Sequence, residues 1–308
     1  MRHISSLQEL SPQKTWLTIG VFDGVHRGHQ EILRALVAEA RKNNATAVVI
    51  SFHPHPAAVL GKRSALKYLS LPDEKAEILA VLGVDTLLTY PFDKKVANRS
   101  AAEFMQEIQE RIDLQALFIG YDFALGKNRQ GDAAYLAERG RETGYALRRF
   151  EPLREGEQTI SSSLVRAALA DGRVRDAYQL LGRPYTLRGS VIRGDGRGRK
   201  INVPTANIRV AAEKLIPANG VYATLAEVRG KSYPAVTNIG IRPTFTPQQK
   251  EANIETHLLD FHGDIYEQEL KLSFLAHLRD EKKFNSVDEL LDQIHADIDA
   301  AKKVIGKR

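Results

Sequence analysis

The sequence predicts two domains of different class: a doubly wound α/β domain with a parallel sheet, then a mainly antiparallel β-barrel that ends in a helix. Three observations support this prediction. Apolar runs alternate with helical segments in the first part, short β-rich runs follow, and an amphipathic pattern closes the chain. The length of 308 residues also exceeds what one core usually holds, about 100–200 residues. We place the domains at residues 1–182 and 183–308.

The first domain consists of repeated strand and helix segments. TWLTIGVF (15–22) predicts a strand, residues 29–44 carry apolar side chains at helical spacing, and TAVVISF (46–52) predicts the next strand. The pattern continues with a helix at 72–83, a strand at 85–92, a helix after Ser100, a strand at 115–123, a helix from Asp132 and an extended run at 145–153. Such alternation predicts a parallel sheet with helices on both faces and ligands at the carboxyl ends of its strands.

The second domain has a different pattern, with short strands separated by Gly, Pro and Asn. These runs lie at 185–194, 220–228, 231–240, 253–261 and 269–278, and they predict a compact barrel. The final helix begins at a capping box formed by Ser286 and Glu289. Its apolar stripe, which predicts packing against the barrel, comprises Val287, Leu290, Leu291, Ile294, Ile298 and Ala301. His295 lies off the stripe, and we expect it to be solvated.

Composition limits the classes of function. The net charge of +6 and pI of about 9.3 invite a nucleic-acid partner, but the chain has no basic tail. The stretch RGSVIRGDGRGRK (188–200) mixes arginine with glycine, which suits either a polyphosphate ligand or an ordinary solvated loop. There is no cysteine, so disulfides and a cysteine nucleophile are excluded. No membrane-length apolar run or signal peptide is present, and we expect a cytoplasmic protein with no membrane partner.

The stretch VFDGVHRGHQ (21–30) predicts an anion site. It joins a strand to a helix, so backbone N–H groups and the positive end of the helix dipole face whatever binds above it. His26 and His29 are three residues apart and would act as neutral N–H donors. An ordinary turn with surface histidines is one alternative. A zinc site that adds His53 and His55 is another.

Two segments of the first domain resemble a known signature, although the chain has neither a Walker loop nor GxGxxG after a strand. GVFDGVHRGH resembles the nucleotidyltransferase element whose H-x-G-H histidines hold the phosphates of ATP, and ISSSLVRAAL (160–169) resembles the serine and arginine segment that closes over the triphosphate. Together with SFHPHP, IGYDFALGKNRQGD, GRKINVPTANI, TNIGIRPTF, NIETHLLDF and LRDEKKF, in this order, they make nearly the whole chain resemble the bacterial bifunctional riboflavin kinase/FMN adenylyltransferases, or FAD synthetases.

For the first domain, the resemblance implies an FMN adenylyltransferase of Rossmann-like fold. It assigns ATP binding to Phe22, Asp23, Gly24, His26, His29, Ser161, Ser162 and Arg166. Of these, His26, His29 and Arg166 would be catalytic: the histidines on the phosphates, and Arg166 on the departing pyrophosphate together with both serines. His55, Asp122 and Phe123 match positions that line the flavin and nucleotide crevice, and the resemblance leaves their individual roles open.

For the second domain, the resemblance implies a riboflavin kinase. It assigns Mg²⁺ and ATP to Thr205 and Asn207 of VPTANI, and the catalytic base to Glu255 of NIETHLLDF. The nucleotide phosphates would lie against Gly194, Gly196, Gly198 and Arg199, and flavin against Arg279 and Phe284. Without the resemblance, Glu255 could be a cross-strand ion-pair partner, Asn207 a capping residue, and Phe284 an anchor for the final helix.

The expected substrates are ATP with Mg²⁺, riboflavin and FMN, and no nucleic acid; the sequence leaves the oligomeric state open. One position departs from the family pattern: Asn202 stands where the family commonly has glycine before PTAN. Asparagine tolerates left-handed backbone better than most residues, so the loop can keep its shape. Two alternatives remain at this point. The protein could be an adenylyltransferase with an inactive flavin-binding barrel, or an RNA-binding module that uses its basic surface.

Overall fold

The computed structural model describes residues 1–61, 66–194, 196, 198, 201, 203–242 and 251–306, with the backbone alone at 242 and 251. The chain divides into two compact units, Met1–Ser162 and Ser163–Arg308. The predicted domain boundary after residue 182 stays a prediction.

The first unit is built on a six-stranded parallel sheet in the order β1-β4-β3-β2-β5-β6. Its strands are β1 (Arg2–Ile4), β2 (Lys14–Gly20), β3 (Thr46–His53), β4 (Thr86–Pro91), β5 (Asp113–Gly120) and β6 (Ala146–Phe150). The order changes direction at β2, because β3 lies on one side of it and β5 on the other. Ligands bind at such a switch point, beyond the carboxyl ends of the strands. Both VFDGVHRGH, which follows β2, and YDF, which follows β5, begin there.

Helices cover both faces of this sheet, as the alternation predicts. They are α1 (Arg27–Lys42), α2 (Pro56–Val59), α3 (Pro72–Val81), α4 (Lys94–Ala97), α5 (Ala101–Gln109) and α6 (Ala133–Thr143). Successive strand residues point to opposite faces, so Leu17 and Ile50 pack on the side of α5, whereas Val49 and Phe118 pack on the side of α1 and α3. Ser100 caps α5 as predicted. A short hairpin, β7 (Arg154–Glu155) and β8 (Gln158–Thr159), follows the sheet.

The second unit is a closed antiparallel barrel in the order β10-β13-β12-β11-β14-β9. Its strands are β9 (Tyr185–Ile192), β10 (Ala206–Val210), β11 (Gly220–Val228), β12 (Lys231–Arg242), β13 (Glu251–Leu258) and β14 (Glu269–Arg279). Two short helices lie before the barrel in the chain, α7 (Ser162–Ala170) and α8 (Val174–Leu181), and α9 (Val287–Ile305) follows it. The predicted α/β domain, antiparallel barrel and C-terminal helix are therefore confirmed.

The side chains that face the barrel interior show which of their neighbours in the strands face outward. Thr224, Thr237 and Thr256 are fully buried, and their hydroxyls form a chain with O–O distances of 2.8 and 3.0 Å across β11, β12 and β13. Because strand side chains alternate, the neighbours of these threonines point outward. Asn238 and Glu255 are such neighbours, and both are half-buried on the outer face of the barrel.

The C-terminal helix packs against β11, β12 and β14, as its apolar stripe predicts, but Val287 at the start of the stripe is exposed. Ala301 of this stripe is fully buried between Ala223 and Ala276, and His295 is exposed as expected. Asp297, however, also lies on the packed face with only 5% of its surface exposed. The hydrophobic pattern does not predict this buried carboxylate, whose partner is described below with the site.

Candidate active sites

The turn after β2 has an unusual backbone. Phe22, Gly24 and Val25 have φ values of +49°, +75° and +41°, and only glycine adopts this left-handed region without strain. Gly20 makes room for the Phe22 ring, since a Cβ atom there would lie 3.0 Å from Phe22 Cε2. Such strained backbone persists only where the surrounding structure determines it, and it is common at functional sites.

Buried polar contacts fix this turn on several sides. The Asp23 carboxylate, 2% exposed, accepts hydrogen bonds from the Leu69 and Ser70 amides at 3.0 and 3.1 Å. The Gly24 amide donates to Ser70 Oγ at 2.9 Å, and Gln30 Nε2 donates to the Val25 carbonyl at 2.9 Å. The structure thus gives Asp23 a role in shaping the turn, and its predicted contact with ATP stays a prediction.

The two histidines lie together at the start of α1. His26 is the N-cap, and its Nδ1 accepts a hydrogen bond from the His29 amide at 3.4 Å. In the neutral ring this places the proton on Nε2, which leaves an N–H donor at the far edge. The two rings stack with centroids 3.6 Å apart, and Gly28 permits this because a Cβ atom there would lie 3.3 Å from the His26 ring.

His29 is poised as a neutral donor. Burial lowers its pKa well below the usual 6.5, and electrostatic interactions with His26 and Lys75 lower it further. Its Nδ1 is buried and has no hydrogen-bond partner among the residues that the structure describes. A buried ring nitrogen without a partner is uncommon, and it is the kind of group that a ligand satisfies.

The zinc alternative finds no support in the geometry. Within the described part of the chain, no three His, Cys, Asp or Glu side chains converge as metal ligands would. His55 instead caps α2: its Nδ1 accepts a hydrogen bond from the Ala57 amide at 3.0 Å, and its own amide donates to Tyr68 Oη at 2.8 Å. The predicted crevice role of His55 stays a prediction.

The serine segment is partly tied to the same turn. Ser162 Oγ donates to the Asp23 carbonyl at 2.9 Å, and Ser161 is half-buried beside it in the chain. Arg166 is a half-buried residue of α7 in the second unit. Their predicted action on the triphosphate stays a prediction.

Aromatic side chains that the sequence reasoning did not single out lie near the carboxyl ends of β3 and β4 in the first unit. Phe52 near the end of β3 packs against Phe92 and Tyr90, with ring centroids 5.4 and 6.3 Å apart, and all three are half-buried. The predicted Phe123 is half-buried against the same core, while Asp122 is exposed. The sequence does contain a signal for them, because SFH (51–53) and TYPF (89–92) place aromatic residues at the ends of two neighbouring strands.

The barrel brings together the residues predicted for the second reaction. Asn207 of β10 pairs directly with Glu255 of β13, and this carboxylate accepts a hydrogen bond from Asn253 Nδ2 at 2.7 Å. Directly opposed residues of antiparallel strands have Cβ atoms about 4.5–5.5 Å apart. Asn238 pairs with Glu255 from the other side. Asn238 and Asn253 were missed, although both share the strand alternation of Glu255.

The glycine-rich loop approaches the same residues. A Cβ atom at Gly194 would lie 2.2 Å from Asn207 Nδ2, and one at Gly198 would lie 2.3 Å from the Val203 carbonyl oxygen and 3.4 Å from Thr205 Oγ1. Close approach of the loop to the Asn207 amide and to the Val203 carbonyl therefore requires these glycines. Gly196 has φ +68° with open space around it. The predicted Arg199 and the departure at Asn202 lie outside the described residues.

Arg279 makes an ion pair that the sequence did not predict. Its guanidinium donates two hydrogen bonds, from Nε and Nη2, to the buried Asp297 carboxylate at 3.0 and 2.8 Å. Gln293 supports the same carboxylate at 2.9 Å. Arg279 also lies 5.8 Å from the centre of the half-buried Phe284 ring. The pair thus joins the end of β14 to α9 and holds Phe284 near it, while flavin contact by either residue stays a prediction.

We expect Asp297→Asn to destabilise the second unit by about 3 kcal/mol, because breaking a buried ion pair leaves its partner uncompensated. Thermal unfolding followed by calorimetry measures this effect. Asp299→Asn is the matched control, since Asp299 is an exposed carboxylate of the same helix. Equal melting temperatures for the two variants would contradict the role of the pair.

No helix in the described ranges is both long enough and apolar enough to cross a membrane.

Comparison with known proteins identifies relatives of both units. The family model for FAD synthetase matches residues 8–164, and that for Riboflavin kinase matches residues 181–305. A Bifunctional riboflavin kinase/FMN adenylyltransferase from Bacillus subtilis (strain 168) is 37% identical over 92% of this chain and 90% of its own. The protein of the same name from Escherichia coli (strain K12) is 37% identical over 99% of this chain and 97% of its own.

A solved structure has the same fold over nearly the whole chain. It is described as a macrolide-efflux protein from Streptococcus pneumoniae, and it is 31% identical with a TM-score of 0.88. The match covers 97% of this chain and 98% of that one. Its name describes that protein; the similarity here is one of sequence and fold.

Proposed function

The chain belongs to the bifunctional riboflavin kinase/FMN adenylyltransferase family, and on that premise we propose how its residues divide the two reactions. The enzyme phosphorylates riboflavin to FMN and transfers AMP from ATP to FMN, giving FAD and pyrophosphate. Each reaction is assigned to one predicted domain, adenylyl transfer to residues 1–182 and riboflavin phosphorylation to residues 183–308. The observation that carries the proposal is the pairing of Asn207 with Glu255 next to the glycine-rich loop. The two stacked histidines at the start of α1 support the other reaction.

Adenylyl transfer takes place at the turn after β2. The triphosphate of ATP lies over the start of α1, where the backbone amides, the helix dipole and the N–H groups of His26 and His29 meet it. An FMN phosphate oxygen attacks the α-phosphorus in line, the new P–O bond forms, and the bond to the β-phosphate oxygen breaks. Ser161, Ser162 and Arg166 stabilise the charge on the departing pyrophosphate.

This reaction needs neither a protein nucleophile nor a general base. The attacking group is a phosphate whose second pKa is about 6, so it is already ionised at neutral pH. The protein therefore contributes positioning and charge stabilisation. The strained, buried turn suits this task because its donors are fixed before ATP binds, and the unpartnered Nδ1 of His29 is one of the groups that the ligand can satisfy.

The flavin ring of FMN binds beside the aromatic side chains of the crevice. Phe52, Tyr90 and Phe92 are half-buried near the carboxyl ends of β3 and β4, where the flavin would approach the switch point. Aromatic rings in offset or edge-on contact favour a flat conjugated ligand by about 0.5–1.5 kcal/mol per pair. Phe123 and Asp122 line the other side of the crevice, beyond β5.

Riboflavin phosphorylation takes place on the outer face of the barrel. Glu255 takes the proton of the terminal ribityl hydroxyl as its oxygen attacks the γ-phosphorus of ATP, and ADP leaves. Asn253 orients the Glu255 carboxylate through its amide. The amides of Gly194, Gly196 and Gly198, with Arg199, hold the nucleotide phosphates. Arg279 and Phe284 border the flavin.

The oxygen atoms around Asn207 fit a magnesium ion that arrives with ATP. Thr205 Oγ1 and the Asn207 amide oxygen are hard ligands, and Mg²⁺ typically takes one or two protein oxygens together with phosphates and water. The glycine loop leaves space at both residues that side chains would fill. Bound there, the ion would neutralise charge on the transferring phosphates.

We also propose that the enzyme works in the cytoplasm, where both ATP and riboflavin are present.

Asn207→Ala should raise the Mg²⁺ concentration that riboflavin phosphorylation needs, by about tenfold or more, because one oxygen ligand is lost. FMN adenylylation by the same variant should be unchanged. Asn253→Ala is the matched control, since it removes a neighbouring amide that contacts Glu255 and no metal ligand. The measurement is a magnesium titration of both reactions. A Mg²⁺ requirement equal to that of the unmodified enzyme would contradict the assignment.

A single experiment tests the function itself. Incubation with riboflavin, ATP and Mg²⁺, followed by chromatography, should show FMN first and FAD later. Conversion of FMN to FAD with riboflavin untouched would instead support an inactive barrel. Binding to RNA that flavin does not compete for, and that weakens steeply with salt, would support an RNA-binding module.

A further inference from the structure

A lysine lies buried beneath the turn that carries the two histidines. Lys75, in the first turn of α3, has 5% of its surface exposed. Its ammonium donates hydrogen bonds to the Val21 carbonyl and to Ser51 Oγ, both at 2.7 Å, and Ser51 Oγ donates to the same carbonyl at 2.9 Å. Val21 is the residue at which β2 passes into the strained turn, so Lys75 and Ser51 together hold its entrance.

A buried ammonium is costly for a fold. Burial lowers the pKa of Lys75 from 10.5 to about 8, against the opposing effect of the Asp23 carboxylate. An apolar side chain of similar length would fill the same space without that cost. The turn is already fixed on its other side, where Asp23 and Gly24 contact the 69–70 segment. Packing alone therefore does not account for a charged residue at this position.

The charge of Lys75 reaches the site itself. It is one of the causes that lower the pKa of His29, together with burial and His26. The ammonium thus adds positive potential beneath the place where we set the triphosphate, and it does so from a position that excludes water. A fixed charge in a low-dielectric site costs no reorganisation when charge develops on the substrate.

We propose that Lys75 is a positioning residue for adenylyl transfer, which fixes the entrance of the histidine turn through Val21 and Ser51 and places a buried positive charge beneath the triphosphate. This inference rests on the proposed binding of the triphosphate at that turn. Lys75 contacts no substrate. It acts through the backbone of the turn and through the electrostatic potential of its ammonium group.

Lys75→Met tests the proposal, because methionine keeps the length of the side chain and removes the charge and the donors. We expect kcat for FMN adenylylation to fall about 100-fold, the size of effect that a misplacement of about 1 Å can have. The riboflavin kinase reaction of the same chain should be unchanged and reports that the second unit is folded, and calorimetric melting of the variant reports whether the first unit is folded. Lys42→Met, at an exposed lysine of the first unit, is the matched control and should leave both reactions unchanged.

Ser51→Ala is a second variant that tests the proposal without removing the lysine. It removes the hydroxyl that orients the ammonium while leaving the charge in place, and we expect an adenylylation kcat about tenfold lower with the melting temperature nearly kept. The double variant should lose less than the product of the two single effects, because both act on the Val21 carbonyl. Should Lys75→Met fail to fold, Ser51→Ala alone decides: unchanged adenylylation would overturn the proposal.

A parallel assay of His29→Ala separates this inference from the proposed function. If His29→Ala abolishes adenylylation and Lys75→Met keeps it within twofold, the role of Lys75 is refuted and the site stands. If His29→Ala itself keeps adenylylation, the triphosphate does not bind at the turn, and the proposal for Lys75 falls with it.

Discussion

Glu255→Gln should lower the rate of riboflavin phosphorylation by about 10²–10⁴-fold, the usual contribution of a general base. Glutamine keeps the size of the side chain. Its amide oxygen can still accept the hydrogen bond that Asn253 Nδ2 donates to Glu255 Oε1 at 2.7 Å in the unmodified protein. It cannot take the proton of the ribityl hydroxyl. The variant should therefore bind ATP and riboflavin with nearly unchanged affinity and fail at the chemical step.

The same variant should convert FMN to FAD at the rate of the unmodified enzyme. Glu227→Gln is the matched control, because Glu227 is an exposed carboxylate on β11 of the same barrel. Chromatographic assays of the two reactions, run on each variant, give the answer. Riboflavin phosphorylation within a few-fold of normal in Glu255→Gln would remove Glu255 from the role of base.

His29→Ala should have the opposite effect, lowering FMN adenylylation by about 10²–10³-fold. That is the range seen when one donor to a developing negative charge is removed. His29 also packs edge-on to Phe22, with centroids 5.1 Å apart, and stacks on His26, so its loss frees the neighbouring donor as well. Riboflavin phosphorylation should continue at the normal rate.

The control for His29→Ala is His3→Ala, which removes an exposed histidine of the same unit. Both variants should melt at similar temperatures, since His29 contributes an imidazole and no large apolar surface. Loss of both reactions in His29→Ala would show that the two units are more tightly coupled than we propose. Retention of adenylylation would place the triphosphate elsewhere.

The architecture follows from the sequence because each half has a strong and simple pattern. Strand and helix periods alternate before about residue 182, and short strands with turn residues follow, so the parallel sheet and the barrel are predictable. The helix start at His26 is equally local, because a glycine-bearing turn between strand and helix specifies it. The three-residue strand β1 at the sheet edge has too short a sequence pattern to predict.

The residues that the sequence did not reveal depend on long-range contacts. The other charges of the helix that carries Asp297 are exposed, whereas the helix of Lys75 also buries Glu74 and exposes Asp73 and Glu77. A helical pattern gives no reason to bury one charge rather than another. The burial of each charge is explained by its partners. Lys75 donates to Ser51 on β3 and to Val21 just after β2, and Asp297 accepts from Arg279 on β14. Asn253 is different: it lies two residues before Glu255 on the same strand, so its contact is local and the strand alternation could have indicated it.

The resemblance to the family identified Asn207 and Glu255 where local pattern alone favoured ordinary structural roles. The structure shows why both can serve one site: antiparallel pairing of β10 with β13 sets them opposite each other, and Gly194 leaves space for the Asn207 amide. The role of each residue in catalysis stays a prediction that the variants above test.

Mixing the two inactive variants tests the central claim most directly, since that claim is the presence of two separate polyphosphate sites, one for each reaction. Glu255→Gln supplied with riboflavin, ATP and Mg²⁺ should form FMN and FAD at least about 100-fold more slowly than the unmodified enzyme, and His29→Ala should accumulate FMN with FAD formed at least about 100-fold more slowly. The mixture of both should produce FAD from riboflavin much faster than either variant alone, because FMN released by one protein is adenylylated by the other. A mixture that forms FAD no faster than the two variants separately, or either variant alone forming FAD from riboflavin at the normal rate, would contradict the account.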